Sequence, residues 1–432
     1  MNEIITFNIL TLGCKVNACE SAAIEKSLLE NGFSAAESEN ADLFVINSCS
    51  VTGTAVAKAR HAASRFRREN PRGIIALCGC FPQSYPEEAG LKFDADIVLG
   101  NSDKDKLADY VRNYIENRVK TVKVNPLSRE YCKESAVPDE DRTRAFIKIE
   151  DGCDRFCSYC IIPTARGRVR SLPCEDIAKQ AQNCVESGHK EIVLTGINLG
   201  CYGRELGLTL YDAVKAVSES GVPRIRLSSL EPEMMTDELI EKLGEIPALC
   251  PHFHLSLQSG SDDILRKMNR KYNADRFSHI AEKLREVFPD CSITTDIIVG
   301  FPYESDEDFQ KSVDFAKKIG FAKIHVFPYS IRKGTIAAEM PQVQPSVRTE
   351  RSRVLLAEAE KLEDAFLRAQ RGKTGVALIE KPQSELYSQG FTENYTPVRI
   401  LNEQIPRHTL VKVEIIGAKK GYCIGRILQE QG

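Results

Sequence analysis

The chain has 432 residues, 42% of them hydrophobic and 28% charged, with 27 Gly and 19 Pro, which fits a soluble protein of several domains and excludes fibrous or largely disordered classes. No apolar stretch approaches the ~18 residues of a membrane span, and the polar start Met1-Asn2-Glu3 lacks the order of a secretory signal, so a cytoplasmic protein with no membrane partner is expected. A net charge of −3 predicts no polyanion partner for the molecule as a whole, whereas fifteen cysteines in a reducing compartment point to metal or catalytic use.

The class expected is α/β. Residues 1–118 alternate strand candidates (Phe7 to Leu12, Leu43 to Asn47, Ile74 to Leu77, Ile97 to Leu99) with helix candidates (Ala22 to Glu30, Thr54 to Glu69, Asp103 to Glu116), the rhythm of an open parallel sheet. Residues 119–143 are charged and Pro-containing and read as a linker. Residues 144–371 hold a second series, with strands expected at Ala145 to Ile149, Glu191 to Leu194, Arg224 to Leu227, Phe253 to Leu257, Ile293 to Val299 and Lys323 to Phe327. Six strand-helix units predict a partial parallel barrel whose site lies at the strand carboxyl ends, followed by an exit helix from Ser346 to Arg371. Residues 372–432, with strand candidates Gly375 to Glu380, Val398 to Leu401, Leu410 to Ile416 and Tyr422 to Leu428, predict a small closed antiparallel barrel.

Chemistry concentrates in two sets of three cysteines. Cys153, Cys157 and Cys160 form a Cys-x3-Cys-x2-Cys run directly after the first strand of the second series. Three thiolates on one loop can hold three irons of a 4Fe-4S cube and leave the fourth iron open to a small molecule. The alternative is a zinc site completed by His or a distant Cys, but no His lies within twenty residues of the run. Cys14, Cys49 and Cys80 each follow a strand of the first series, and in a parallel sheet those turns share one edge, so the thiols can converge despite separations of 35 and 31 residues. The other reading of each is a small buried hydrophobe. Gly13 and Gly79 would let the backbone approach a bulky group closely. Cys19, Cys78, Cys132, Cys174, Cys184, Cys201, Cys250, Cys291 and Cys423 show no comparable pattern and are read as core or surface thiols.

With both triads in view, the chain resembles the radical S-adenosylmethionine (SAM) methylthiotransferases over essentially its full length. The resemblance is carried by the Cys153–Cys160 run with Tyr159 before its third cysteine and by Ile161-Ile162-Pro163, Arg166-Gly167 and Ser171. It is carried further by Thr11-Leu12-Gly13-Cys14-Lys15-Val16-Asn17, Asn47-Ser48-Cys49-Ser50-Val51-Thr52, and Gly79-Cys80 with Gln83. The terminal barrel resembles a TRAM domain, an RNA-binding module. The first block is most similar to the branch acting on threonylcarbamoyladenosine-37 of tRNA; relatives act on isopentenyladenosine-37 or on a ribosomal-protein aspartate. Tyr303 in Gly300-Phe301-Pro302-Tyr303-Glu304 stands where the family pattern has Gly, and Cys80 is preferred over Cys78 because the Gly-Cys pair aligns with the family block.

The resemblance implies two 4Fe-4S clusters and SAM. One cluster, on Cys153, Cys157 and Cys160, would cleave SAM to a 5′-deoxyadenosyl radical; the other, on Cys14, Cys49 and Cys80, would deliver a methylthio group to carbon 2 of adenine. The strand ends of the first domain would then face the mouth of the barrel. An electron donor protein, a sulfur source and tRNA are the expected partners. SAM contacts are expected from Tyr159, Thr195, Gly196, Ser229, Glu231, Gln258, Val299 and Gly300, by position at strand ends; a turn residue satisfying nearby backbone is the plainer reading of Thr195 or Ser229. His252 and His254 share a strand face without a third ligand nearby and read as packing or hydrogen-bonding residues. Residues 370–432 carry nine Lys and Arg against six Asp and Glu. Arg399, Lys412, Lys419, Lys420 and Arg426, together with Arg407, would meet phosphates there, with Phe391, Tyr395 or Tyr422 for stacking; a solvated surface is the alternative. Arg65, Arg67 and Arg68 offer a second phosphate patch or a polar helix face. The rival of another class is a two-cluster electron carrier, which leaves the barrel and the basic terminal domain without work.

Overall fold

A computed structural model describes residues 5–36, 41–131, 142–380 and 386–428. The apolar runs form β1 (Thr6–Thr11), β2 (Ser34–Ala35), β3 (Leu43–Ser48), β4 (Ile74–Gly79), β5 (Ile97–Leu99) and β6 (Thr121–Lys123), an all-parallel sheet in the order β2-β1-β3-β4-β5-β6. Its crossovers include α1 (Lys15–Glu30), α2 (Gly53–Glu69), α3 (Cys80–Ser84), α4 (Pro86–Lys92) and α5 (Leu107–Asn117). Because both faces are covered, its strands are apolar on both sides: Ile74, Ala76 and Cys78 of β4 join one core cluster, and Ile75 and Leu77 the other. The sheet runs past residue 118, since β6 lies within the expected linker; residues 132–141 of that linker lie outside the described residues.

The second series gives β7 (Ala145–Lys148), β8 (Glu150–Asp151), β9 (Arg170–Ser171), β10 (Glu191–Thr195), β11 (Arg224–Leu227), β12 (Ser229–Leu230), β13 (His252–Leu255), β14 (Ser292–Val299) and β15 (Lys323–Pro328). β8 and β9 form a separate antiparallel pair around α6 (Ile162–Arg166). The others are parallel, in the orders β11-β10-β7 and β12-β13-β14-β15; β11 has the bounds of the third expected strand, and the short β12 after Ser228 is an addition to the expected series. Between them run α7 (Cys174–Glu186), α8 (Leu210–Ser218), α9 (Asp237–Gly244), α10 (Asp262–Lys267), α11 (Ala274–Val287) and α12 (Asp306–Ile319). Reciprocal capping boxes, Thr209 with Asp212 and Ser305 with Asp308, start α8 and α12. α13 (Pro345–Ala369) leads to β16 (Thr374–Ile379), β17 (Tyr387–Phe391), β18 (Pro397–Leu401), β19 (Leu410–Lys419) and β20 (Tyr422–Ile427), a closed barrel ordered β16-β17-β18-β20-β19. It is not wholly antiparallel, because β18 and β20 close it in parallel.

The chain divides into two compact units: Met1–Val137 with Glu150–Leu172 and Arg332–Thr335, and Pro138–Ile149 with Pro173–Ile331 and Ile336–Gly432. The Cys153 loop therefore groups with the first sheet, and the terminal barrel with the parallel strands. Buried charge holds the latter pair together. Glu191, fully buried, meets Arg144 Nε at 2.7 Å, Arg224 Nε at 3.0 Å and Arg226 Nε at 2.8 Å. Arg224 also donates to the carbonyls of Val376 and Phe391, and Arg226 to that of Glu393. Burial alone would raise the Glu191 pKa, but the three guanidiniums outweigh it and lower the carboxyl to about 2.

Candidate metal centres

Cys14, Cys49 and Cys80 occupy the turns after β1, β3 and β4. Cys14 caps α1 and is exposed; Cys49 and Cys80 are buried, Cys80 as the first residue of α3. The three thiols interact electrostatically: burial, then the neighbouring Cys80 and, more weakly, Cys14 push Cys49 up to about 11, and burial with Cys14 among the causes raises Cys80. Gly13, at φ +109°, makes the approach feasible, since a Cβ there would lie 2.8 Å from the Cys49 Cβ and 3.0 Å from its Sγ. Gly79, at φ +100°, serves the same end, because a Cβ would meet Asn47 Oδ1 and the Ser48 carbonyl at 2.6 Å. Cys78 faces the other way, into the core with Phe7, Leu28 and Leu107, where burial raises its thiol to about 12. The donor set suits a thiolate-bound metal group: three thiols on one sheet edge, the Val51 N–H aimed at Cys49 Sγ (3.4 Å), and a buried Ser50 Oγ with no hydrogen-bond partner among the described residues.

The Cys153, Cys157 and Cys160 side chains, all half-buried, lie on the loop between β8 and α6. Its form is set by backbone bonds: Cys153 N–H to the Gly167 carbonyl and Cys160 N–H to the Cys157 carbonyl, both 3.0 Å. Gly152, at φ +93°, lies so close to the Arg168 carbonyl that a Cβ would stand 2.0 Å from its oxygen. The Ile162 N–H points at Cys160 Sγ (3.5 Å), and Tyr159 lies half-buried on the same loop. Three thiols on so short a loop likewise suit a cluster with one open metal position.

Helix α6, immediately after Cys160, ties this loop to the first triad. Arg166 is buried and donates to Glu20 Oε1 (2.7 Å), Glu20 Oε2 (3.0 Å), Asp151 Oδ1 (3.0 Å) and Asn17 Oδ1 (2.6 Å). Asn17 Oδ1 in turn lies 3.8 Å from Cys14 Sγ. On the other side, Asn101 Nδ2 donates to the Ala165 carbonyl at 2.6 Å and lies 3.9 Å from Cys80 Sγ. Lys104 completes the balance by pairing with Glu20 at 2.5 Å. Sequence reasoning marks Arg166 and Asn17 only as parts of motifs and does not anticipate Glu20 or Asn101.

The remaining expected cofactor contacts belong to the second unit. Thr195 ends β10, buried, with its carbonyl accepting from Ile149 N–H, and Gly196 follows it half-buried. Ser229 opens β12 and is exposed, while Glu231 is held by the buried Arg270. Gln258 takes a left-handed φ of +65°, exchanging backbone bonds with Asp296 and Ile298. Val299 and Gly300 end β14 in a turn clamped by Glu304, which accepts from Gly300 N–H (2.7 Å) and Arg351 Nη1 (2.7 Å). His254, by contrast with its sequence reading, has a carboxylate and a second imidazole at hand, Asp296 and His325; His252 packs on Tyr395 with ring centroids 4.9 Å apart.

On the terminal barrel, Arg399 is stacked between Tyr422 (4.0 Å to the ring centroid) and Tyr387 (4.5 Å). Lys412 and Lys419 are exposed, whereas Lys420 pairs with Glu360 and Arg426 with Glu414. Phe391 and Tyr395 are not a stacking platform: they stack on each other at 4.5 Å, and Arg144 lies over both and Arg226 over Tyr395. Arg67 is likewise engaged internally, on Asp96 (2.6 Å) and the Gly73 carbonyl (2.7 Å).

The fold is that of radical SAM proteins. A radical S-adenosylmethionine methyltransferase from Kitasatospora setae superposes with a TM-score of 0.56 at 14% identity, over 77% of this chain and 74% of that one. Residues 147–316 match the model of the radical SAM superfamily, and residues 6–100 that of an uncharacterized protein family, UPF0004. Threonylcarbamoyladenosine tRNA methylthiotransferases of Bacillus subtilis (39% identical; 97% of this chain, 95% of the relative) and Thermotoga maritima (38%; 95% and 94%) are similar throughout. A tRNA-2-methylthio-N(6)-dimethylallyladenosine synthase of Caldicellulosiruptor saccharolyticus is 34% identical (98% and 92%). The chain belongs to the radical SAM methylthiotransferase family, and with it come a 4Fe-4S cluster and SAM.

Proposed function

We propose that the protein methylthiolates carbon 2 of threonylcarbamoyladenosine at position 37 of tRNA. Full-length likeness to relatives named for that nucleoside carries the reading, together with the Thr11–Asn17 block. Cys153, Cys157 and Cys160 would hold the SAM-binding cluster, and Cys14, Cys49 and Cys80 a second one. When bound, these groups supply the one-electron chemistry and the sulfur that no side chain offers for an aromatic C–H bond. The chain's own part is placement. Arg166, Asn17 and Asn101 tie the two thiol sites to one rigid framework, and Glu304 clamps the Gly300 turn expected to meet SAM. Thr195, Gly196, Ser229, Glu231, Gln258 and Val299 would be further SAM contacts. Arg399, Lys412 and Lys419 are the basic groups of the terminal barrel that meet tRNA phosphates in this reading, and an electron donor protein and a sulfur source are its further partners. The test is an anaerobic assay of the reconstituted enzyme with three substrates side by side: tRNA bearing threonylcarbamoyladenosine, tRNA bearing isopentenyladenosine, and the ribosomal protein. Mass spectrometry should find the 2-methylthio product in the first; preferential modification of either other substrate overturns the assignment.

A further inference from the structure

Three consecutive parallel strands bring His254 of β13, Asp296 of β14 and His325 of β15 together on one face. The register sets His254 opposite Thr294 and Asp296 opposite His325. Alternation sends the neighbours Phe253 and Leu255 to the opposite face, where Phe253 packs on Phe288 at 4.9 Å between ring centroids. One ligand atom from each of the three residues lies within 4.8 Å of the other two. His254 Nε2 is 3.3 Å from Asp296 Oδ2, and the two imidazole centroids are 5.8 Å apart. Thr294 Oγ1 takes up His254 Nδ1 at 2.9 Å, which fixes the ring and leaves Nε2 as the nitrogen on the Asp296 side. Metal-bound imidazoles have this arrangement, with one nitrogen on the metal and the other oriented by a polar partner. Lys323, the basic neighbour on β15, turns its ammonium to Glu363 at 3.4 Å.

We propose that His254, Asp296 and His325 form a divalent-metal site for a first-row ion such as Zn2+, independent of the cysteine triads. Two imidazoles and one carboxylate suit that class of ion and leave coordination positions open. His325 is exposed, so the site is accessible to an ion from solvent. The ligands come from rigid adjacent strands rather than a loop, so little ordering accompanies binding.

The test uses anaerobically reconstituted protein with its clusters in place, titrated with Zn2+ and measured by zinc content and zinc-edge X-ray absorption. One zinc per chain is expected, in a shell of nitrogen and oxygen at about 2.0–2.2 Å without sulfur at about 2.3 Å. His325→Ala, at an exposed position, should lose that zinc while keeping the iron content and melting temperature of the parent. Thr294→Val should weaken zinc binding by about 10–100-fold. Sulfur in the zinc shell, zinc content unchanged in His325→Ala, or no zinc uptake by the parent overturns the proposal and leaves the three residues as a hydrogen-bonded cluster.

Discussion

Arg166 and Glu20 meet inside the first unit through two hydrogen bonds, 2.7 and 3.0 Å long, with side chains 0% and 2% exposed. One stands at the end of the helix that follows Cys160, the other six residues after Cys14, so the pair is a direct ionic link between the segments carrying the two thiol sets. Removing Arg166 leaves Glu20 with Lys104 and Asp151 with Arg170 but strips both buried carboxylates of its charge-assisted hydrogen bonds, each worth about 1.5–3 kcal/mol. Arg166→Ala should therefore lower the apparent melting temperature sharply and reduce iron uptake after reconstitution. Arg166→Lys keeps the charge but not the fork that reaches Glu20, Asp151 and Asn17 together, and should fall between. Melting curves and iron content that match the parent in Arg166→Ala would show the link to be dispensable.

The two thiol sets should fail separately. Reconstituted parent is expected to hold about eight irons per chain, and the triple Ala variant of either set about half. Loss of Cys153, Cys157 and Cys160 should abolish reductive cleavage of SAM. Loss of Cys14, Cys49 and Cys80 should leave 5′-deoxyadenosine formation and stop product. Cys78→Ala should keep the full iron content, because that side chain lies in the core on the other side of β4. Methylthiolated product from the Cys14/Cys49/Cys80 variant would remove the second site from the mechanism.

Much of this architecture is legible in the sequence because buried parallel strands announce themselves as short apolar runs, and β3, β5 and β11 stand within a residue of their expected bounds. β17 gives no such signal because Tyr387–Phe391 carries Ser388 and Gly390 on its inner positions; Gly390 is required there, since a Cβ would lie 2.3 Å from the Leu378 carbonyl oxygen. Cys78 is decidable from alternation, as it continues the face of Ile74 and Ala76. Arg166 and Glu20 are 146 residues apart, and nothing local in the chain pairs them. His254 illustrates the same limit: its neighbours come from two other strands, and only the register between strands brings them together.

Glu191 should make the second unit acid-sensitive. Its folded pKa of about 2 lies below the ordinary 4.5, so the stability it contributes is present above pH 4.5 and is lost as the pH falls toward 2. Glu191→Gln removes the carboxylate that Arg224 and Arg226 share and leaves Arg144 with Glu380 alone, and should destabilise at neutral pH by about 3–5 kcal/mol. The variant should also show a shallower loss of stability between pH 4.5 and about 3 than the parent, measured by chemical unfolding at each pH. Parallel pH profiles would show that this carboxylate does not hold the arginines.

Tyr303 adopts φ +66°, a left-handed conformation that costs a residue with a Cβ about 1–2 kcal/mol. This explains physically why glycine is expected at that place in the Gly300–Glu304 turn. The ring is about half exposed and lies 5.7 Å from the Lys267 ammonium, an arrangement too open to add much. Tyr303→Gly should accordingly be neutral or stabilising, whereas the β-branched Tyr303→Val should destabilise by about 1 kcal/mol or more. Thermal scans of the two variants check the order, and the reverse order would show that the tyrosine ring, not the backbone, governs the turn.

The aromatic and basic residues of the terminal barrel should divide by role. Tyr395 lies beneath Arg144 and Arg226 and against His252, so Tyr395→Ala should lower stability while leaving the salt dependence of tRNA binding as it is in the parent. Deleting the whole barrel would confound the two effects, because it uncovers Arg224, Arg226 and Glu191 at once. Lys412 and Lys419 are exposed, and each phosphate that one of them neutralises should add about 0.7–0.9 to the steepness of log K against log salt, so that replacing both flattens the dependence. Lys420 and Arg426 already pair with Glu360 and Glu414, so their removal should change the slope less. Arg399 is held flat between Tyr387 and Tyr422, and Arg399→Lys should weaken binding more than loss of a point charge predicts, because the planar stack goes with it. Filter binding at a series of salt concentrations measures all of these; an unchanged slope in the Lys412→Ala, Lys419→Ala double variant would mean that tRNA is held by another surface.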